Sequence, residues 1–274
     1  MKNPASPKVF IFAALECEAK ALIYHLGLKK NTNNNAFTIY SDNKTILTIT
    51  GVGKVAMAGG VAYAMALYPH LQMPVLVNIG IAGHKNQALG TLHMAAKVVD
   101  SESGKTFYPQ MLKNGWPEAK EIKTMSKPCS RYNSDCLIDM EAAAFYEMAI
   151  RFSSCELIHC LKVVSDNEQS SIEKISSKIV NDWMTNQLTG IVTIIHDLTA
   201  LKASVCSTEL NDFDEIVQQW HFTVSGEIKL KSLLQQWQVL STDHWLSMNT
   251  EGFSNAKGVL KKLESDVNAL EVYL

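Results

Sequence analysis

Along the first two hundred residues, short apolar runs alternate with longer stretches whose apolar residues recur at helical spacing. Val9 to Leu15 is one such run, ending at Glu16 and Glu18, and the EAKALIYHLGL after it carries the period of a half-buried helix, so strand then helix is predicted. Phe37 to Tyr40 and Thr45 to Thr50 are aromatic or β-branched runs on either side of Ser-Asp-Asn-Lys, which suits a hairpin. Gly51-Val-Gly53 closes the second of these, and KVAMAGGVAYAMALY continues as an Ala-rich, close-packing helix. The VLVNI after Pro74 is short, apolar and bounded by Gly80, as in a strand buried within a parallel sheet. Leu92 to Val99 reads as another strand. From Asp100 to Asp135 the Lys, Ser, Pro and Asn residues sustain no period, and a loop is predicted. Asp139 to Phe152 then reads as a helix, Leu157 to Val164 as a strand ending at Ser165-Asp166, and Ile172 to Leu201 as one long amphipathic helix.

Such alternation predicts an α/β fold of three α/β/α layers, with helices on both faces of a central mixed, largely parallel sheet. Ligands in sheets of this kind collect at the carboxyl ends of the strands. Near Ser207 the strand pattern stops, and positions such as Trp220, Leu230, Leu234, Trp237 and Trp245 mark amphipathic helices. An α/β domain over 1–205 and a C-terminal helical extension over 206–274 are therefore predicted, with the extension's Trp and Leu faces expected to pack on the core or on a second subunit.

Composition narrows the function classes. With 274 residues and 47% hydrophobic content the chain can bury a large core. Its 25 Lys+Arg against 27 Asp+Glu leave a formal charge of -2 and no overall basic surface to hold a polyanion, which disfavours nucleic acid as a partner. No apolar run has the length of a membrane span. The opening MKNPASPKVFIF lacks the basic, apolar and small-residue order of a secretory signal. None of the six cysteines falls as C-x-x-C or beside clustered histidines, so reduced thiols in the cytoplasm are expected rather than a disulfide scaffold or structural zinc.

Five segments place small or acidic residues where the chain leaves a strand or enters a helix: Ala14-Leu-Glu-Cys-Glu18, Thr50-Gly-Val-Gly-Lys54, Asn78-Ile-Gly-Ile-Ala-Gly83, Asp139-Met-Glu-Ala142 and Val164-Ser-Asp-Asn167. Each alone is a weak signal; their ordered combination is far more specific. In order and spacing they resemble the superfamily of purine nucleoside phosphorylases and of methylthioadenosine and S-adenosylhomocysteine nucleosidases, over roughly the first two hundred residues with a gap in the middle.

The resemblance implies that Asp166 protonates the imidazole-ring nitrogen of a leaving purine. Expelling an anionic base is difficult, and proton donation as the glycosidic bond lengthens stabilises the departing charge. It implies that Glu141 accepts hydrogen bonds from the ribose hydroxyls while Met140 packs beneath the sugar, and that Glu18 activates the attacking water, as in the hydrolytic members. Gly80, Ile81, Ala82 and Gly83 would line the base end of the pocket, with Ser165 and Gly53 completing the substrate-binding set. Other roles suit some of these residues: a helix cap for Asp166, a first-turn acid for Glu141, core packing for Met140, and a tight turn for Gly51 and Gly53.

Two features favour water over phosphate as nucleophile. The phosphorylase pattern of Gly-Asp-Pro with arginine is absent, and the only arginines, Arg131 and Arg151, fall on no matching position. Gly51, Gly53 and Lys54 remain able to cradle an anion at a helix start. Two departures from the family pattern are plain. Ile81 stands where the nucleosidases commonly carry a small hydroxyl residue, and no Ser-Gly-Asp-like base-recognition motif is visible in the short interval from Asp100 to Asp135. His84 and Tyr108 are candidates for lining the shortened pocket, although a lone His after a Gly turn is more commonly an exposed loop residue. A purine nucleosidase is therefore expected, with no metal or redox cofactor, and as a homodimer by resemblance. A phosphorylase of the same fold and a non-catalytic nucleoside-binding or interaction protein are the alternatives.

Overall fold

In the computed structural model, every side chain of β1 (Val9–Ala13) is buried, because the strand lies between β4 (Thr45–Ile49) and β5 (Val75–Gly83) and runs parallel to both. The structure describes residues 8–32, 36–68, 71–110, 115–129, 132, 134–206, 210, 212–241, 243–249 and 252–271. Alternation along β1 divides the core into two layers. Phe10 and Phe12 pack with Met57 and Val61 of α2 (Lys54–Ala66) and Ala142 and Phe145 of α3 (Ala142–Ala149). Val9, Ile11 and Ala13 join the opposite layer, with Leu22 of α1 (Glu16–Leu26), Val180 and Met184 of α4 (Ser177–Asn186), and Ile191 and Ile194 of α5 (Leu188–Cys206). This is the three-layer α/β/α arrangement that the alternating pattern predicts.

The remaining strands are β2 (Lys29–Lys30), β3 (Thr38–Ser41), β6 (Leu92–Asp100), β7 (Thr106–Phe107), β8 (Ala119–Thr124), β9 (Leu137–Asp139) and β10 (Ile158–Asp166). They order as β10-β6-β8-β9-β5-β1-β4-β3-β2, with β7 on β6. A second pairing, β10 parallel to β5, closes β5, β10, β6, β8 and β9 into a ring. Strand length explains the closure: β5 continues past its pairing with β1 at Asn78, and Gly83 at its far end meets Ile138 of β9.

Three expectations are corrected. The interval read as loop contains β7 and β8, and β8 pairs parallel with both β6 and β9. Its sequence, AKEIKT, keeps only Ile122 and Thr124 buried, so a mostly half-exposed strand looks polar. Asp139 ends β9 instead of opening a helix, and α3 begins at Ala142. The single long helix from Ile172 is a 3-10 turn at Ile172–Lys174 followed by α4 and α5, which part at Gln187, whose side-chain amide donates to the Gly90 carbonyl at 2.8 Å.

The chain divides into two compact units, Met1–Ala203 and Ser204–Leu274. The second holds α6 (Phe213–Gln219), α7 (Val224–Leu240), α8 (Trp245–Met248) and α9 (Ala256–Glu271). Its Trp and Leu positions form a core of their own, in which Leu230, Leu234, Trp245, Val259 and Leu263 are buried. The indole N–H groups are satisfied inside the same unit: Trp220 donates to the Phe253 carbonyl, Trp237 to the Asp243 carbonyl and Trp245 to Asp266 Oδ2. Among the described residues, no helix is long and apolar enough to cross a membrane.

Candidate active site

Because β1, β5 and β10 run parallel, their carboxyl ends open on one edge of the first unit, where a cavity of about 340 Å³ lies. Glu18, Ile81, Ala82, Gly83, Met140, Glu141, Ser165 and Asp166 all line it, although they come from four distant stretches of sequence. A larger groove of about 790 Å³, between Leu89–Leu92, Trp116 and the α4–α5 junction, has no ionisable side chain among its lining residues. The smaller cavity is where acid–base chemistry can occur.

Glu18 sits one turn into α1 and is 4% exposed. One oxygen, Oε2, accepts the Leu15 N–H at 2.8 Å, as a third-position acid does when it closes back on a helix start. The other, Oε1, accepts the Ile81 N–H at 3.0 Å, which ties the helix to the end of β5. Gly80 makes this approach feasible, since a Cβ there would lie 2.8 Å from Glu18 Oε1 and 3.4 Å from Lys162 Nζ. Burial raises the Glu18 pKa, and the charge of Lys162 opposes that rise.

Lys162 is one residue that sequence reasoning missed. It lies in mid-β10, 1% exposed, with Nζ 2.9 Å from Asp139 Oδ2. An isolated ammonium so buried would lose several kcal/mol of hydration. Here Asp139, Glu141 and Glu18 reverse the effect of burial and hold its pKa above the ordinary lysine value. Asp139 is itself fixed by the Thr124 hydroxyl at 2.7 Å and by the Glu141 and Ala142 N–H groups at the start of α3. One cation thus faces three carboxylates; at Glu141 burial pushes the pKa up to about 7, against the opposing charge of Lys162 and with a smaller contribution from Asp139.

Glu141 Oε1 accepts the Gly53 N–H at 2.7 Å, at the start of α2. Gly53 has φ 99°, which a side chain would strain. The next residue, Lys54, reaches Asp100 at 3.1 Å and also contacts Glu102, whose carboxylate accepts the Ser126 N–H and hydroxyl. The helix start that the sequence left able to cradle an anion is therefore occupied by the protein's own carboxylates.

Asp166 ends β10, after a register shift at Ser165, and is 3% exposed. Both of its oxygens accept a hydroxyl: Oδ1 that of Ser165 at 2.5 Å, Oδ2 that of Tyr132. No helix starts at Asp166; the chain turns through a bridge between Asn167 and Ser170, so the capping role has no helix to serve.

Of the residues predicted for the site, eight line the cavity together. Gly80 and Gly53 do not; they support Glu18 and Glu141 from behind. His84 is fully buried rather than exposed, with Nδ1 accepting the Asn86 and Gln87 N–H groups and Nε2 3.1 Å from Asp135. Tyr108 is 67% exposed, and neither residue lines the cavity. Arg131 lies outside the described residues, and Arg151 is exposed beyond α3. Lys127, Pro128 and Cys129 form part of the wall where the base-recognition motif was sought. Among the described residues, no cluster of three or more His, Cys, Asp or Glu side chains is arranged to hold a metal ion.

The mixed sheet with helices on both faces is the nucleoside phosphorylase-like fold of the solved structures to which the chain is similar. Neither a protein-family model nor a curated protein sequence matches this chain. Solved structures do. The 5'-methylthioadenosine nucleosidase of Arabidopsis thaliana superposes with a TM-score of 0.58 at 15% identity, over 72% of this chain and 97% of that one. For the 5'-methylthioadenosine/S-adenosylhomocysteine nucleosidase of Helicobacter pylori the TM-score is 0.56 at 13% identity, over 70% and 99%. The futalosine hydrolase of Helicobacter pylori gives 0.56 at 13%, over 70% and 98%.

Proposed function

We propose that the chain is a nucleosidase that hydrolyses the N-glycosidic bond of a purine-type nucleoside. The observation that carries this reading is the convergence of Glu18, Glu141 and Asp166, from three separate segments, on one cavity of about 340 Å³. Glu18 takes a proton from water as its oxygen bonds to the anomeric carbon. The bond from that carbon to the base nitrogen breaks, its electron pair leaves with the base, and Asp166 delivers a proton to the imidazole-ring nitrogen. Glu141 accepts from the ribose hydroxyls, and its negative charge favours the cationic character that builds on the sugar. A Glu18 carboxylate whose proton affinity is raised by burial suits a base working near neutral pH.

Water is favoured over phosphate because the Gly53 N–H is bound to Glu141 and Lys54 to Asp100 and Glu102, which leaves like charge where a phosphate would settle. The enzyme on this reading works in the cytoplasm as a homodimer. The test is chromatographic: purified protein with a panel of purine nucleosides should release free base and free sugar at a rate indifferent to added phosphate. Glu18→Gln and Asp166→Asn should each lower turnover at least about a hundredfold. Sugar phosphate appearing only when phosphate is supplied would replace hydrolysis by phosphorolysis, and full turnover in both variants would sink the assignment of roles.

A further inference from the structure

Tyr132 holds no place in the sequence-based reading, yet its hydroxyl meets the proposed acid directly. It is 6% exposed, and its hydroxyl donates to Asp166 Oδ2 while Ser165 donates to Oδ1. The ring edge and hydroxyl lie over Gly83, which pairs with Asp166 across β5 and β10. A Cβ at Gly83 would fall 2.6 Å from Asp166 Oδ2, 2.7 Å from the Tyr132 hydroxyl and 2.8 Å from its Cε1. Glycine at that position is thus what admits the pair.

We infer that Tyr132 is a positioning residue for Asp166: with Ser165 on the other oxygen, its hydroxyl fixes the plane of the carboxyl. The inference rests on the nucleosidase reading. A carboxyl held at both oxygens cannot rotate, so the oxygen that carries the proton keeps a fixed direction toward the cavity, and proton delivery depends on such direction. The phenol is suited to being the donor and not the acid, because burial and the adjoining carboxylate raise its own pKa. The same loop carries Lys127 to Cys129 in the cavity wall and is tied down by the approach of Asp135 to His84, whose N–H binds the Asp166 carbonyl at 2.9 Å.

Tyr132→Phe is the informative variant, since it keeps the ring over Gly83 and removes only the hydroxyl. Base release should show kcat lowered about tenfold to a hundredfold with KM changed less than about threefold. The other charged or titratable groups at the cavity, Glu18, Asp139, Glu141 and Lys162 behind and Lys127 and Cys129 in the loop, are common to both proteins, so the difference reports the hydroxyl. An unchanged kcat would reduce Tyr132 to packing, and a raised kcat would make it an obstruction; either overturns the inference. Thermal melts of the two proteins separate these outcomes from misfolding, and Tyr132→Leu, which loses ring and hydroxyl, should lower kcat at least as far as Tyr132→Phe. Wild-type protein that releases no base from any nucleoside removes the nucleosidase reading and this inference with it, whereas release with an unaffected variant removes the inference alone.

Discussion

Replacing Lys162 by Met tests whether one buried cation holds the acidic cluster together. Met keeps the length and apolar stem of lysine and deletes only the charge. Asp139 would retain the Thr124 hydroxyl and two backbone N–H groups, but it would lose the ammonium at 2.9 Å, and Glu18 and Glu141 would lose the positive charge that opposes their burial. Removing one partner from a buried ion pair costs roughly 3–5 kcal/mol. At about 2–4 °C per kcal/mol for a unit of this size, the melting temperature should fall on the order of 10 °C. The sign of the pH dependence follows from Glu141, whose folded-state pKa of about 7 already exceeds its reference value of 4.5. A carboxyl raised on folding contributes stability below its unfolded value, and that contribution is lost as pH rises through the folded one. Without Lys162 the raised values go higher still, so the deficit against wild type should be smallest near pH 5 and widest near pH 8. Scanning calorimetry across that range, following the transition of the α/β unit, measures it. A loss below about 1 kcal/mol, or one that is the same at every pH, would refute the claim that Lys162 neutralises the cluster.

Two further predictions concern groups on either side of the site. His159 is fully buried, packs edge-on against Trp116 at 5.4 Å, and is pushed by burial to a pKa of about 4. Its depressed value contributes stability above the unfolded pKa of 6.5, and that is lost as pH falls through about 4, up to about 3 kcal/mol at 1.36 kcal/mol per unit. In His159→Phe the loss of stability between these pH values should shrink by that amount; urea midpoints that fall as steeply as in wild type would contradict it. Gly83→Ala forces a Cβ to within 2.6–2.8 Å of Asp166 and Tyr132, so it should cost about 1–3 kcal/mol and bring base release down toward that of Asp166→Asn. Retained turnover would show that the pair tolerates displacement.

How far the sequence disclosed all this depended on which faces were buried. β1, β5 and β10 were legible because burial on both faces leaves mostly apolar runs. β8 was not, since a strand with Lys120, Glu121 and Lys123 around a single buried apolar residue, Ile122, has the composition of a loop. The acids at the cavity were found through motif order, and physical spacing alone would not have joined positions 18, 141 and 166. Lys162 did leave a signal: a single lysine inside the apolar run from Leu157 to Val164 must be paired, and the acids able to pair with it were already in hand. Asp139 was hidden by its assignment to a helix. Tyr132 left no signal, because its partner lies 34 positions away and its loop has no period.

The contact between Glu141 and the Gly53 N–H has a bearing on how such a site can be altered. The α2 terminus is, in effect, already ligated, with an internal anion bound where an external one would have to compete. On the proposed reading, added arginines alone would not bring phosphate to this terminus. The resident carboxylate of Glu141 would first have to be released from Gly53, and that same carboxylate is the group proposed to hold the sugar. On the proposed reading, nucleophile choice and ribose binding are thereby linked through a single side chain, and a change in one would require a change in the other.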